Sequence, residues 1–213
     1  MTESPAPAAL TVFQVQVARL FFSLPAAEGF LLAGGAALVV HGLTQRPTQD
    51  LDLFTKNQGG VAAARGELET AVIARGWSVT CVRESATFCR LLVHGDDELV
   101  VDLALDAPPN EPPTVSAVGP TFAPAELAGR KLLALFDRAA ARDFADVYAL
   151  SKRFSTTELI RRATEVDAGF DTEVLAQMIG NLGRFADKDI PVEGAEVADL
   201  RAFFAVWAAE LGN

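Results

Sequence analysis

Two aspartates, Asp50 and Asp52, stand two positions apart in the segment Asp50-Leu51-Asp52-Leu53-Phe54. On a β-strand successive side chains alternate between faces, so Asp50 and Asp52 share one face and Leu51 and Leu53 the other. Neighbouring carboxylates on an otherwise apolar strand repel each other and are costly to bury. A divalent cation resolves the conflict, and Mg²⁺ characteristically takes one or two carboxylates together with substrate phosphates. Upstream, Gly34-Gly35 follows the apolar run Phe30-Leu31-Leu32-Ala33 and precedes an apolar segment of helical character. A glycine pair lets the backbone approach a phosphate closely, and a helix starting there points its free amides at the same place. The stretch from Phe30 to Phe54 therefore outlines a site for a triphosphate and a metal ion.

Further residues carry chemistry of the same kind. Asp102 sits within Leu99-Val100-Val101-Asp102-Leu103-Ala104-Leu105, and an Asp amid so apolar a strand needs a partner or a metal. A satisfied structural carboxylate or a solvated sheet face also fits it. Lys131, Leu135 and Arg138 share one face of a predicted helix, and Arg142 and Asp146 are one turn apart on the next. Lys131 suits a triphosphate as a point charge. Two solvated faces carrying weak intrahelical ion pairs would give the same spacing. Arg46 and Thr48 lie in a polar elbow whose Pro47 favours a turn; the alternative places Arg46 on a phosphate and the Thr48 hydroxyl beside the metal. His41 and His94 have no second soft ligand spaced near them, which argues against zinc, and both fit helix ends or turns.

Gly34-Gly35 followed by Asp50-Leu51-Asp52 resembles the signature of the DNA polymerase β-type nucleotidyltransferase superfamily, with a slightly long gap of fourteen residues, Ala36 to Gln49. More narrowly, the run from Arg46 to Phe54 and the pattern Lys131, Arg138, Arg142-Asp143, Asp146 resemble the AbiEii/MenT group of toxin nucleotidyltransferases. The resemblance implies metal ligation by Asp50, Asp52 and a third carboxylate, Asp102, which also serves as general base. It implies phosphate contact by Lys131, support of the site by Asp146, and orienting roles for Arg138, Arg142 and Asp143. Gly34, Gly35, Arg46, Thr48, Lys131 and Arg142 become the candidate nucleotide-binding residues. It further implies Mg²⁺ (or Mn²⁺) as cofactor, a nucleoside triphosphate as substrate, the tRNA 3′ end as acceptor, and a cognate antitoxin protein as a possible partner. In some such toxins the hydroxyl two residues before the first Asp is phosphorylated by an antitoxin, and Thr48 matches that position.

The elements that must position these residues follow from periodicity. Residues 1 to 9 are Pro/Ala-rich and read as a loose tail. An amphipathic helix is expected over Leu10 to Leu24, a strand near Phe30 to Ala33, a helix over Ala36 to Gly42, the acidic strand over Asp50 to Phe54, and an Ala-rich helix over Val61 to Arg75. Trp77 to Arg83, Phe88 to His94 and Leu99 to Leu105 read as successive strands. Residues 106 to 120, with Pro108, Pro109, Pro112, Pro113 and Pro120, read as a linker or active-site loop. Beyond it, helices are expected over Pro124 to Arg138, Ala141 to Arg153, Thr156 to Ala168, Thr172 to Arg184 and Gly194 to Leu211. The predicted class is α/β (α+β), with a small mixed β-sheet core flanked by helices over 1–120 and a helical C-terminal domain over 121–213.

Bulk properties set limits. At 213 residues, half of them hydrophobic, the chain can bury a sizeable core. No apolar run suggests a membrane span and the N-terminus lacks a basic region, so a cytoplasmic protein is expected. Cys81 and Cys89 suggest free thiols rather than a disulfide scaffold, although a hairpin would let them face each other. The net charge of −10 argues against extensive duplex binding. It leaves open a nucleotidyltransferase acting on a small molecule such as an aminoglycoside or on a protein hydroxyl, and also an inactive nucleotide-binding or interaction module.

Overall fold

The computed structural model describes residues 10–212. The expected tail over 1–9 lies outside them. The chain divides into two compact units, one comprising residues up to Gly42 together with Pro47–Ala123, the other Leu43–Arg46 together with Pro124 onward.

The first unit is built on a mixed sheet. Its strands are β1 (Phe30–Ala33), β2 (Asp50–Thr55), β3 (Ser78–Glu84), β4 (Phe88–His94), β5 (Glu98–Leu105), β6 (Thr114–Val115) and β7 (Pro120–Thr121), in the order β3-β4-β5-β2-β1-β7-β6. The pairs β2/β5 and β1/β7 are parallel and the others antiparallel. β6 falls within the stretch expected to be loop, and β7 straddles its end at residue 120, with Thr121 in the region expected to be helical. They are two residues each, too short for alternation to reveal, and they extend the sheet beyond β1.

Alternation explains the two faces of the sheet. Leu51 and Leu53 of β2, Cys89, Leu91 and Val93 of β4, and Leu99, Val101 and Leu103 of β5 are buried. Helices α1 (Val12–Phe22) and α3 (Gly60–Ala74) belong to this layer, contributing Phe13, Val17, Phe21, Ala64, Leu68 and Val72 to the core. Thr11 and Gln14 close a capping box at the start of α1, satisfying two otherwise orphaned amides. α3 ends at Gly76, whose φ of +78° suits a glycine stop. The short helix α2 (Gly34–Val40) begins two residues earlier than expected, with the glycines inside its first turn. The opposite face of β2 carries half-buried Asp50, Asp52 and Phe54.

The second unit is helical: α4 (Pro124–Arg138), α5 (Ala141–Ser151), α6 (Thr156–Val166), α7 (Thr172–Gly180) and α8 (Val197–Leu211). The last two are shorter than periodicity suggested, because 3₁₀ turns at Asn181–Arg184 and Gly194–Glu196 occupy the remainder. Phe144, Phe204 and Trp207 anchor its core, with the Phe144 and Phe204 rings edge-on at 5.1 Å. Gly129 allows α4 and α6 to touch, since a Cβ there would lie 2.6 Å from the Arg162 backbone carbon.

Candidate active site

Three carboxylates are brought to one face of the first unit's sheet. Parallel pairing sets Asp52 opposite Asp102 and Asp50 opposite Val100, so Asp50, Asp52 and Asp102 share the face that the core leaves open. β1 delivers the glycines to the same point, because Ala33 pairs with Asp52 and the chain turns into α2 immediately afterwards. Gly34 takes φ +61°, and a Cβ built there would lie 1.7 Å from Asp52 Oδ2. Only glycine meets both demands, a left-handed backbone and direct contact with a carboxylate. The Gly34 side of the pair is thus fixed by geometry, whereas Gly35 is a buried helical residue.

Asp50 and Asp102 are each held by a neighbour. The Thr48 hydroxyl donates to Asp50 Oδ1 at 3.0 Å, and Thr48 is itself steadied by Gln14, whose amide donates to the Thr48 carbonyl at 2.9 Å. Gln14 is buried, and its Oε1 accepts from the Thr11 amide. Asp102 is buried and grips Arg90 in a two-pronged pair, with Nε to Oδ1 at 2.8 Å and Nη2 to Oδ2 at 2.6 Å. The hydrogen bonds that Arg90 donates to Asp102, helped by the charges of Asp102, Asp50 and Asp52, raise the Arg90 pKa despite the opposing effect of burial. The partner that Asp102 required is therefore Arg90, in register with it on β4. Arg90 and Gln14 escaped the sequence reading. Arg90 had a usable signal, since alternation along Phe88, Arg90 and Leu92 puts it on the side of β4 away from Cys89 and Leu91.

Among the described residues no three of His, Cys, Asp and Glu are grouped to enclose a metal ion by themselves. The donors on this face nevertheless fit Mg²⁺. They are hard oxygens, Asp50 and Asp52 remain half-buried rather than sealed, and two carboxylates completed by substrate phosphate is that ion's usual arrangement. A cavity of about 370 Å³ lies near the start of β2 and β5, lined by Gln14, Thr48, Glu98 and Val100 among others, and none of the three carboxylates lines it.

The second unit holds a different charge cluster. Lys131 on α4 reaches Asp146 on α5 at 2.9 Å, and Arg46 adds Nε to Oδ1 at 3.1 Å and Nη2 to Oδ2 at 2.8 Å. Asp146 is fully buried and Lys131 nearly so. Burial alone would push the Asp146 carboxyl up, but the Lys131 charge and the Arg46 hydrogen bond and charge outweigh it and hold the group below the ordinary carboxylate range. Arg138 grips buried Asp143 by the same two-pronged geometry, both contacts at 2.8 Å. Asp143 also accepts from the Ala140 amide and so secures the corner, where Ala139 takes an unusual φ of +44°. The pattern Lys131, Arg138, Asp143, Asp146 thus reads structurally as two rungs joining consecutive helices. Solvated faces with intrahelical pairs do not describe it, because the pairs run between helices and the acids are buried. Arg142 lies on the exposed side of α5.

Elsewhere the histidines behave as helix-end and strand-end residues. His41 caps α2 and its Nε2 lies 2.7 Å from the Thr121 hydroxyl, with burial lowering its pKa. His94 ends β4 beside Glu98 at 3.2 Å. Cys81 and Cys89 are free thiols. Burial, followed by the nearby Cys81, pushes the Cys89 pKa up to about 12.

A mixed sheet presenting paired aspartates beside a glycine turn, followed by a helical unit, fits a nucleotidyltransferase. The chain belongs to the AbiEii family, nucleotidyl transferase toxins of type IV toxin–antitoxin systems, which it matches over residues 18–211. The fold is shared with two solved proteins. JHP933 from Helicobacter pylori has 20% identity and a TM-score of 0.59, with 96% of this chain and 95% of that one covered. MenT4, a nucleotidyltransferase toxin from Mycobacterium tuberculosis H37Rv, has 18% identity and a TM-score of 0.62, covering 93% and 82% respectively. No curated protein sequence matches the chain. No helix among the described residues is long and apolar enough to cross a membrane.

Proposed function

We propose that this nucleotidyltransferase toxin transfers a nucleoside monophosphate from a nucleoside triphosphate to the 3′ hydroxyl of tRNA, using Mg²⁺ or Mn²⁺, inside the cytoplasm and under the control of a cognate antitoxin. The observation that supports the reading most is the open face bearing Asp50, Asp52 and Asp102 with the Gly34 backbone packed against Asp52. Asp50 and Asp52 would hold the divalent ion, which would supply positive charge against the phosphates. Gly34 and Gly35 bring backbone close to the triphosphate. Asp102 takes the proton of the attacking hydroxyl as its oxygen bonds to the α-phosphorus and the bond to pyrophosphate breaks. Thr48 orients Asp50 through its hydroxyl. In the second unit, Lys131 serves the phosphates, with Asp146 and Arg46 positioning it, and Arg142 is a further candidate for the nucleotide.

The experiment is transfer of label from each of four α-³²P nucleoside triphosphates to total tRNA with Mg²⁺, beside an Asp52→Asn protein. The proposal expects labelled tRNA in the wild type. The variant should lose about a thousandfold, because a bound metal contributes several kcal/mol to such a transition state. Nucleotide binding without labelled tRNA would redirect the acceptor to a small cationic molecule or a protein hydroxyl. No nucleotide binding would leave an interaction module.

A further inference from the structure

Arg90, Asp102 and Asp52 occupy directly opposed positions on the adjacent strands β4, β5 and β2, so one guanidinium and two carboxylates form a row across the sheet. Asp50 lies on the same face, two residues along β2. Both oxygens of Asp102 are taken by Arg90, at 2.8 and 2.6 Å. A carboxylate closed by a two-pronged guanidinium has one acceptor position on each oxygen filled and its charge answered, so an ion or a proton must compete for it. Yet the two partners are unequally fixed: the Asp102 side chain is 7% exposed and that of Arg90 46% exposed. An exposed arginine leaves an ion pair at little cost, since water replaces much of what it loses.

Arg90 also has a second support in the same position. Its guanidinium lies 5.9 Å from the centre of the Phe88 ring, on the side of the hairpin away from the core. A β-bulge between Cys81 and Arg83 sets Arg83 opposite Arg90, and Arg83 lies 5.6 Å from the same ring. The solvent-facing aromatic ring supports either arginine without help from the carboxylates.

We propose that Arg90 is the resident counter-cation of the carboxylate cluster, holding Asp102 in the metal-free protein and competing with the divalent ion for it. Arg90 thereby stabilises the sheet when the ion is absent and lowers the affinity of the site for the ion. Asp102 becomes available to the reaction only when the ion is present. This rests on the reading of Asp50 and Asp52 as metal ligands.

The test is a Mn²⁺ titration of the full-length protein without nucleotide, free Mn²⁺ being read by electron paramagnetic resonance. Arg90→Gln should bind Mn²⁺ about tenfold more tightly than wild type, the scale of one nearby unit charge removed from a partly solvated site. Melted in chelator, Arg90→Gln should fall below wild type, and the gap should close as Mn²⁺ saturates. Arg90→Lys keeps the charge without the fork. It should lie between the two and carries the test if the glutamine variant does not fold. Equal or weaker Mn²⁺ binding by the variants, with wild-type binding intact and abolished by Asp52→Asn, overturns the role of Arg90 alone. Absence of any Asp52-dependent binding in the wild type overturns the metal reading as well.

Discussion

The molecule carries two clusters of opposed charge that follow opposite rules. In the first unit Asp50 and Asp52 are half-buried, a third carboxylate is in register with Asp52, and the guanidinium answering them is nearly half exposed. In the second unit Asp146 is sealed and receives Lys131 and Arg46, whose side chains are only 9% and 13% exposed. The first arrangement leaves carboxylate charge facing solvent, where an ion or substrate can meet it. The second is internally balanced, with the hydrogen-bonding capacity of Asp146 taken by fixed donors. The first suits a site completed by an ion and a substrate, and the second fixes the position of Lys131 while tying consecutive helices together.

The contrast is broken most sharply by removing one carboxylate from each. Asp52→Asn should lower transfer about a thousandfold while leaving the melting temperature unchanged or raised, because neutralising one of several clustered like charges relieves repulsion. Asp146→Ala should act first on stability, and on transfer only through the Lys131 that it no longer positions. Stranding Lys131 and Arg46 without their anion costs about 3–5 kcal/mol in such buried pairs, to be read from urea unfolding. Acid should mimic it. The folded Asp146 pKa lies below its unfolded value of about 3.9, so its contribution is fully present above that value and fades as pH falls through the lower folded pKa. Wild type should therefore lose stability on acidification more steeply than Asp146→Asn.

Gly34→Ala tests the open cluster more gently. The new methyl must displace Asp52 Oδ2 and adopt φ +61°. Displacing a reacting group by about 1 Å commonly costs about a hundredfold in rate, with a further stability loss of about 1–2 kcal/mol for the left-handed backbone. Transfer kinetics and a melt separate the two. A variant with full activity would show that the Asp52 carboxylate can move without consequence.

How far each cluster was legible follows from the same contrast. Alternation along Asp50-Leu51-Asp52-Leu53 gave both the strand and the shared face, and the apolar neighbours of Asp102 announced a buried acid in need of a partner. These are local signals, since the pattern within one strand decides them. Alternation could place Arg90 on the side of β4 away from Leu91, but its pairing with Asp102 needs the register in which β4 lies against β5. That register depends on the turn between two strands. In the helical unit, spacing showed that Lys131 and Arg138 share a face, yet spacing alone suits solvated and buried helices equally. The burial of Asp143 and Asp146 belongs to the folded arrangement of the helices, which no window of sequence contains. The short β6 and β7 were illegible for the plainest reason: two residues cannot show a period.

The finest distinction between the clusters lies in a single hydroxyl. Thr48 donates to Asp50 Oδ1, and its own backbone is pinned by Gln14. Thr48→Val keeps the shape and removes the donor, so the fold should persist and Asp50 should lose one of the contacts that orient it. A hydrogen bond to a charged group is worth about 1.5–3 kcal/mol when nothing replaces it. Here solvent reaches the half-buried Asp50, so the expected loss is toward or below the lower end, about tenfold or less in transfer rate. Raising Mn²⁺ should recover part of it, because a misoriented ligand weakens ion binding before it affects the chemistry. Arg46→Ala in the second unit removes a comparable contact from Asp146, but Lys131 remains. It should lower the melting temperature and leave the Mn²⁺ dependence of transfer unchanged. A metal-dependent defect in Arg46→Ala, or a purely stability defect in Thr48→Val, would show that the open and closed clusters do not divide the work in this way.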